Sequence, residues 1–121
     1  MGQLLINLSN HPSNKWDEAQ LEAAKQYGKI LDISFPVIDP EADEAAVEML
    51  ATSYVDIIAK AAENKKTTVH LMGELTFCFA LLNRLKELKY TCIASCSARN
   101  VVDLPDGRKQ VDFSFVRFRI Y

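Results

Sequence analysis

Gln3-Leu4-Leu5-Ile6-Asn7-Leu8-Ser9-Asn10-His11-Pro12-Ser13 is the stretch on which the fold turns. Its apolar first half reads as a strand over residues 3–8, of the kind that lies in the middle of a sheet covered on both faces. Small and polar residues follow, among them one of the chain's two histidines. Ser13 or Asn14 then caps a helix running to about residue 27, with Asp17 and Glu18 in its first turn. Buried strand, polar turn and helix N-terminus in that order gather free N–H groups and the positive end of a helix dipole. The stretch therefore predicts an α/β protein with an anion site after its first strand, phosphate being the first candidate.

Outward from that unit the same alternation repeats. Gly28 ends the first helix, and residues 30–34 form a short second strand. Two prolines, Pro36 and Pro40, keep the following segment irregular. Asp39 is a helix cap with Pro40 at the first position, and Val47, Leu50, Ala51, Tyr54, Ile58 and Ala61 give that helix an apolar stripe. Residues 67–72 are a third strand, and Gly73-Glu74-Leu75-Thr76 turns into a third helix faced by Cys78, Leu81, Leu82, Leu85 and Leu88. Residues 90–95 are a fourth strand. Pro105-Asp106-Gly107-Arg108 then joins two extended stretches, 98–104 and 110–120, as a β-hairpin. In the last stretch Val111, Phe113 and Phe115 share one phase and Val116, Phe118 and Ile120 the other, which means either a bulge near Phe115 or a strand covered on both faces. The expected architecture is one Rossmann-like domain over residues 1–121: a mostly parallel sheet with helices on both faces and a C-terminal antiparallel hairpin.

Bulk properties narrow the function. The chain has 121 residues, 49% of them hydrophobic and 25% charged, with a net charge of −2. That charge argues against a site for long nucleic acid. It is unevenly spread: residues 12–63 carry four Lys or Arg against eleven Asp or Glu, whereas residues 91–121 carry five against three. A small anion would favour the C-terminal part. There is no basic-then-apolar leader and no run of 18 apolar residues, so a cytoplasmic protein without a membrane span is expected. Cys78, Cys92 and Cys96 are odd in number and lack a C-x-x-C spacing; reduced, packed thiols are expected, with no metal and no cofactor.

In a doubly wound sheet ligands bind beyond the carboxyl ends of the strands, where the strand order reverses. With the order 2-1-3-4 the turn after strand one and the Gly73–Thr76 turn after strand three would face each other across one crevice. Ser9, Asn10 and Ser13 offer hydrogen bonds to phosphate or ribose; Gly73 permits close backbone approach; Glu74 and Thr76 sit at a helix start. His11 is either an acid/base group or a residue that serves only its turn. His70, inside strand three, reads as a packed histidine. Arg99 either clamps a phosphate or pairs with the acidic helices. Trp16 either stacks on a base or anchors the core. Arg117 and Arg119 either line a face or discourage pairing at a sheet edge. Neither G-x-G-x-x-G nor G-x-x-x-x-G-K-[ST] occurs, which disfavours dinucleotide and P-loop sites.

The segment Asn7-Leu8-Ser9-Asn10-His11-Pro12-Ser13 resembles the Ser-(x)-His-Pro signature of small stand-alone CRISPR-associated Rossmann-like proteins, which are similar to CARF domains. Met72-Gly73-Glu74 and Ser97-Ala98-Arg99 fall where such domains place further ligand contacts. The resemblance implies a CARF-like protein of antiviral defence that binds a cyclic oligoadenylate second messenger. It implies a metal-independent ring nuclease, in which a ribose 2′-hydroxyl attacks the adjacent phosphodiester and leaves 2′,3′-cyclic phosphate ends. On that reading Ser9, Asn10 and Ser13 bind phosphate or ribose, His11 is the general acid or base, Gly73, Glu74 and Thr76 form the opposite wall, and Arg99 neutralises the phosphate. A two-fold symmetric ligand implies a homodimer. Two other readings stand beside it: a non-catalytic sensor or sponge of the same ligand, and a Rossmann-like module that binds a phosphorylated metabolite.

Overall fold

Five strands in the order β2-β1-β3-β4-β5 form one sheet in the computed structural model, which describes residues 2–121. The strands are β1 (Gln3–Ser9), β2 (Lys29–Asp32), β3 (Lys66–Met72), β4 (Thr91–Asp103) and β5 (Lys109–Ile120), and the helices are α1 (Glu18–Ala24), α2 (Glu44–Ala62) and α3 (Leu75–Glu87). Strands β2, β1, β3 and β4 run parallel, and β5 returns antiparallel to β4. This is the Rossmann-like α/β arrangement expected from the sequence, with its C-terminal hairpin.

The pleat sorts the side chains. Leu4, Ile6 and Leu8 of β1 and Val69 and Leu71 of β3 point to the face covered by α2 and α3, where they join Val47, Ala51, Phe77, Leu81 and Leu85 in the main core. The alternate residues point to the other face, which only α1 and its flanking turns cover. There Leu5, Trp16, Ala24, Ile93 and Phe118 make a second, smaller core. Since α1 is only seven residues long, no helix covers the later residues of β1 and β3 on that side; Trp16 and the loop after β1 close over Asn7 and His70, and a cleft remains beside Ser95 and Ser97.

Several boundaries differ from the sequence expectation. The first helix starts later: Ser13–Lys15 is a separate 3-10 turn, and Asp17, not Ser13 or Asn14, caps α1 by accepting from the Gln20 amide at 2.8 Å. The second helix is capped by Asp43, which accepts from Ala46 N at 2.9 Å, not by Asp39. Asp39 instead closes one turn onto Glu41, because Ile33, Phe35, Ile38 and Ala42 pack on the core and hold the chain extended up to that point. The two stretches read as residues 90–95 and 98–104 are one continuous strand, β4. The slipped alternation of β5 is a bulge: Cys96 pairs with Arg117 and Ser97 with Phe115, so Val116 is the extra residue. The bulge returns Phe113, Phe115 and Phe118 to a single face.

Gly28 closes the turn after α1 with φ +107°, and a Cβ there would stand 2.4 Å from the Gln3 carbonyl oxygen; no other residue lets the chain enter β2 so close to β1. No helix among the described residues is long and apolar enough to cross a membrane.

Phe77 is fully buried, edge-on to Phe35 at 5.3 Å and Tyr54 at 5.4 Å. Phe77→Ala is therefore expected to cost about 3–5 kcal/mol in urea unfolding; a loss below about 1 kcal/mol would mean that the α3 side of the core is packed differently.

Candidate functional site

The uncovered half of the α1 face is polar by strand parity. Asn7 and Ser9 of β1 stand beside His70 and Met72 of β3, and Ser95 and Ser97 follow on β4. Together with the loop after β1, all of these but Asn7 line a cleft of about 450 Å³. Asn10, His11 and Lys15 form one wall, and Phe113 and Phe115 of the projecting hairpin form the other.

Asn7 organises the floor. It is 1% exposed, and its amide nitrogen donates to the His11 carbonyl at 3.0 Å and to Asp32 Oδ1 at 2.7 Å. Neither partner carries a proton to give, so the amide has one possible orientation. Its oxygen must then face Ser9 Oγ, at 2.8 Å, and His70 Nδ1, at 2.8 Å. An amide oxygen only accepts; hence Nδ1 of His70 carries the proton, and Nε2 of the neutral ring is bare. At 2.5 Å from Nε2 stands Ser95 Oγ, which donates to it. Ser95 Oγ in turn accepts from the Gln20 side-chain amide at 3.1 Å.

The charge states fit this chain of bonds. Burial, and then the neighbouring His11, hold His70 down to about 4, so it is neutral in the physiological range. For Asp32, burial works to raise the carboxyl, but hydrogen bonds from Ser13 and Asn7 outweigh it and hold the group below the ordinary carboxylate range. Burial pushes the thiols of Cys78 and Cys92 up to about 11, which leaves both unreactive.

The sequence-derived candidates divide. Ser9, Asn10 and His11 line the cleft. Arg99 faces Phe113 across the β4–β5 ladder, so it stands on the cleft side one pleat beyond Ser97, and it makes no ion pair among the described residues. Ser13 does not line the cleft: its hydroxyl donates to Asp32 at 2.6 Å, and its amide donates to the same carboxylate at 3.1 Å. The Gly73–Thr76 turn is not the opposite wall. Strands β1 and β3 are neighbours as expected, but this turn packs toward α2. Gly73 lies against the Phe35 ring, where a Cβ would come within 2.3 Å. Glu74 caps α3, accepting from Thr76 Oγ1 at 2.6 Å and Phe77 N at 2.8 Å, bonds that lower its carboxyl. The opposite wall comes from β4 and β5. Trp16 is a core anchor whose indole N–H donates to the His11 carbonyl at 3.0 Å.

A larger cavity, about 660 Å³, lies on the other face between the starts of α2 and α3. Leu75, Phe79 and Leu82 make it apolar, and its only charges are the acids Asp43, Glu44 and Glu48. It repels anions. The smaller cleft gathers both histidines, a lysine and three serines, the polar and titratable groups that a site for an anion would need.

A model of one protein family, described as the uncharacterized protein MJ1673 family, matches residues 3–119. The chain belongs to the MJ1673 family. No curated protein matches it. The match takes in every residue of the cleft of this MJ1673-family chain, from Ser9 to Phe115.

The His70 environment predicts a pH signature. Its folded value of about 4 lies below the ordinary 6.5, so between those values the unfolded chain binds a proton that the folded chain does not. Stability is then complete above pH 6.5 and falls toward pH 4 by up to roughly 1 kcal/mol per pH unit. His70→Gln should flatten this window in urea unfolding curves. An unchanged slope in the variant would place the acid sensitivity elsewhere.

Proposed function

We propose that this chain binds a cyclic oligoadenylate in the α1-face cleft and opens the ring without a metal ion, by attack of a ribose 2′-hydroxyl on the neighbouring phosphodiester. One observation carries the reading: the end of β1, the loop after it and the middle of β4 bring Ser9, Asn10, His11, Lys15, Ser95 and Ser97 to one pocket beside two phenyl rings. These are groups for phosphate, ribose and base respectively. Lys15 and Asp17 balance within the cleft lining, and Arg99, one pleat beyond Ser97 on the same side of β4, adds a positive charge at its margin. Phe113 is 69% exposed and stands free to stack on an adenine. The residues that carry the resemblance, Ser9 to His11, line this same pocket.

A pocket of this size takes a drug-sized ligand, about one nucleotide unit. A four-membered ring would need two clefts, which supports a homodimer around the ligand. The chemistry asks that the 2′-oxygen be held in line with the leaving 5′-oxygen, that charge on the phosphorane be met by Lys15 and Arg99, and that protons be moved. On this reading His11, which lines the cleft, serves the leaving oxygen.

Incubation with cyclic tetra- and hexa-adenylate, with and without EDTA, tests this. Cleavage that survives EDTA is expected, with 2′,3′-cyclic phosphate products. Tight binding of an intact ring would make the chain a sponge; binding of neither ring would refute the reading. Lys15→Ala and Arg99→Ala should each weaken binding roughly tenfold, as expected for loss of a charged hydrogen bond. His11→Ala should lower turnover far more than affinity.

A further inference from the structure

His11 alone supplies one proton-transfer group, whereas a 2′-hydroxyl attack needs two: one to take the proton of the attacking oxygen and one to give a proton to the leaving oxygen. The hydrogen bonds of the cleft floor identify the missing partner. Ser95 Oγ gives its own proton to His70 Nε2 and accepts from Gln20. A hydroxyl oxygen has two lone pairs, so one remains, on a half-buried side chain that lines the cleft.

We infer that Ser95 and His70 together form the proton acceptor of the cleft, with Ser95 as the group that touches the ligand's attacking hydroxyl. This rests on the phosphodiester reading above. The 2′-hydroxyl donates to Ser95 Oγ. As the 2′-oxygen bonds to phosphorus, its proton passes to Ser95 Oγ while the Ser95 proton passes to His70 Nε2. The bond from phosphorus to the 5′-oxygen breaks, and that oxygen takes a proton from protonated His11. The products are a 2′,3′-cyclic phosphate and a 5′-hydroxyl; solvent exchange then restores both histidines. No further reactant is required.

The surroundings of His70 suit the task. Asn7 Oδ1 holds Nδ1–H at 2.8 Å, and the other end of that amide is held by Asp32 at 2.7 Å. The ring is therefore held with its bare nitrogen toward Ser95, and Nδ1–H keeps its acceptor when Nε2 takes a proton. Trp16 and Phe118 pack edge-on at 5.3 and 5.5 Å and keep water from the ring. The titratable groups around it are His11, Lys15 and Asp17 at the cleft and Asp32 behind Asn7. Burial and the neighbouring His11 keep His70 unprotonated, so Nε2 is free to accept, and the same two effects make the proton it takes a short-lived one. His70 acts through Ser95 and is a positioning and proton-holding residue; Ser95 alone meets the ligand.

Leaving-group chemistry separates the two ends of the reaction. A cyclic tetra-adenylate whose 5′-bridging oxygens are sulfur needs no acid at the leaving atom. Under single turnover with the full chain, Ser95→Ala and His70→Gln are expected to cut the all-oxygen ring at least roughly 100-fold more slowly. Both should lose no more than about tenfold in binding, the cost of one neutral hydrogen bond, and sulfur should not restore either rate. His11→Ala should regain most of its rate on the sulfur ring. Ser95→Ala removes only a half-buried hydroxyl, so it keeps the test valid if His70→Gln fails to fold. Wild-type rates in Ser95→Ala, or rescue of that variant by sulfur, would overturn the relay and leave the ring-opening reading intact. A wild-type protein that binds the ring without cutting it overturns the relay too, and one that binds no ring overturns both.

Discussion

The side-chain amide of Asn7 is the constraint from which the site follows. It is buried in the second strand position of the sheet, where an amide with unmet bonds would cost about 1–3 kcal/mol for each group left unpaired. All four of its hydrogen-bonding positions are used: two donors on the His11 carbonyl and Asp32, and two lone pairs facing Ser9 and His70. One residue thus fixes the loop after β1, ties that loop to the end of β2, and sets the tautomer of a histidine on β3. Had this position carried leucine, the α1 face would be an ordinary apolar layer with nothing to orient the imidazole.

From that constraint the rest assembles in order. His70 with its proton on Nδ1 turns its bare nitrogen to Ser95, and Gln20 of α1 reaches the same hydroxyl. The shortness of α1 leaves Ser95 and Ser97, at the outer end of this row, facing the cleft. The β5 bulge at Val116 brings Phe113 and Phe115 back onto the same face, which supplies an aromatic wall. The cleft therefore needs an early strand, a short helix and a late bulge at once. The larger cavity near α2 needs none of these and has no group able to do chemistry on an anion.

The β/α order and the hairpin were legible in the sequence, because apolar periodicity and the Gly28 and Pro105–Arg108 punctuation report local structure directly; the 2-1-3-4 neighbourhood is the common order of such sheets, and it is the order found here. The first half of the cleft was legible for the same reason: Ser9, Asn10 and His11 sit in a polar turn that any reading of a Rossmann-like chain would mark. Its second half was not. Ser95 sits inside a long strand, whereas the reading of residues 90–95 placed it at a strand end. His70 looked like a packed histidine, and it is packed; what gives it a part in the proposed relay is the bare nitrogen it turns to Ser95. The signal was parity. Asn7 and Ser9, His70 and Met72, and Ser95 and Ser97 are alternate residues on three neighbouring strands, so their polar atoms must share a face. The Gly73–Thr76 turn misled because a strand-end turn can leave toward either face, and Phe35, a residue of a loop with no periodicity, decided which.

The central claim is that an anionic nucleotide ring binds the α1-face cleft. Titration of ¹⁵N-labelled protein with cyclic tetra-adenylate tests it most directly. The account predicts saturable shifts centred on the amides of Asn10, His11, Lys15, Ser95 and Ser97, with the residues of the apolar cavity unmoved. Shifts centred on Leu75, Phe79 and Tyr121, or no shifts at all, would contradict it.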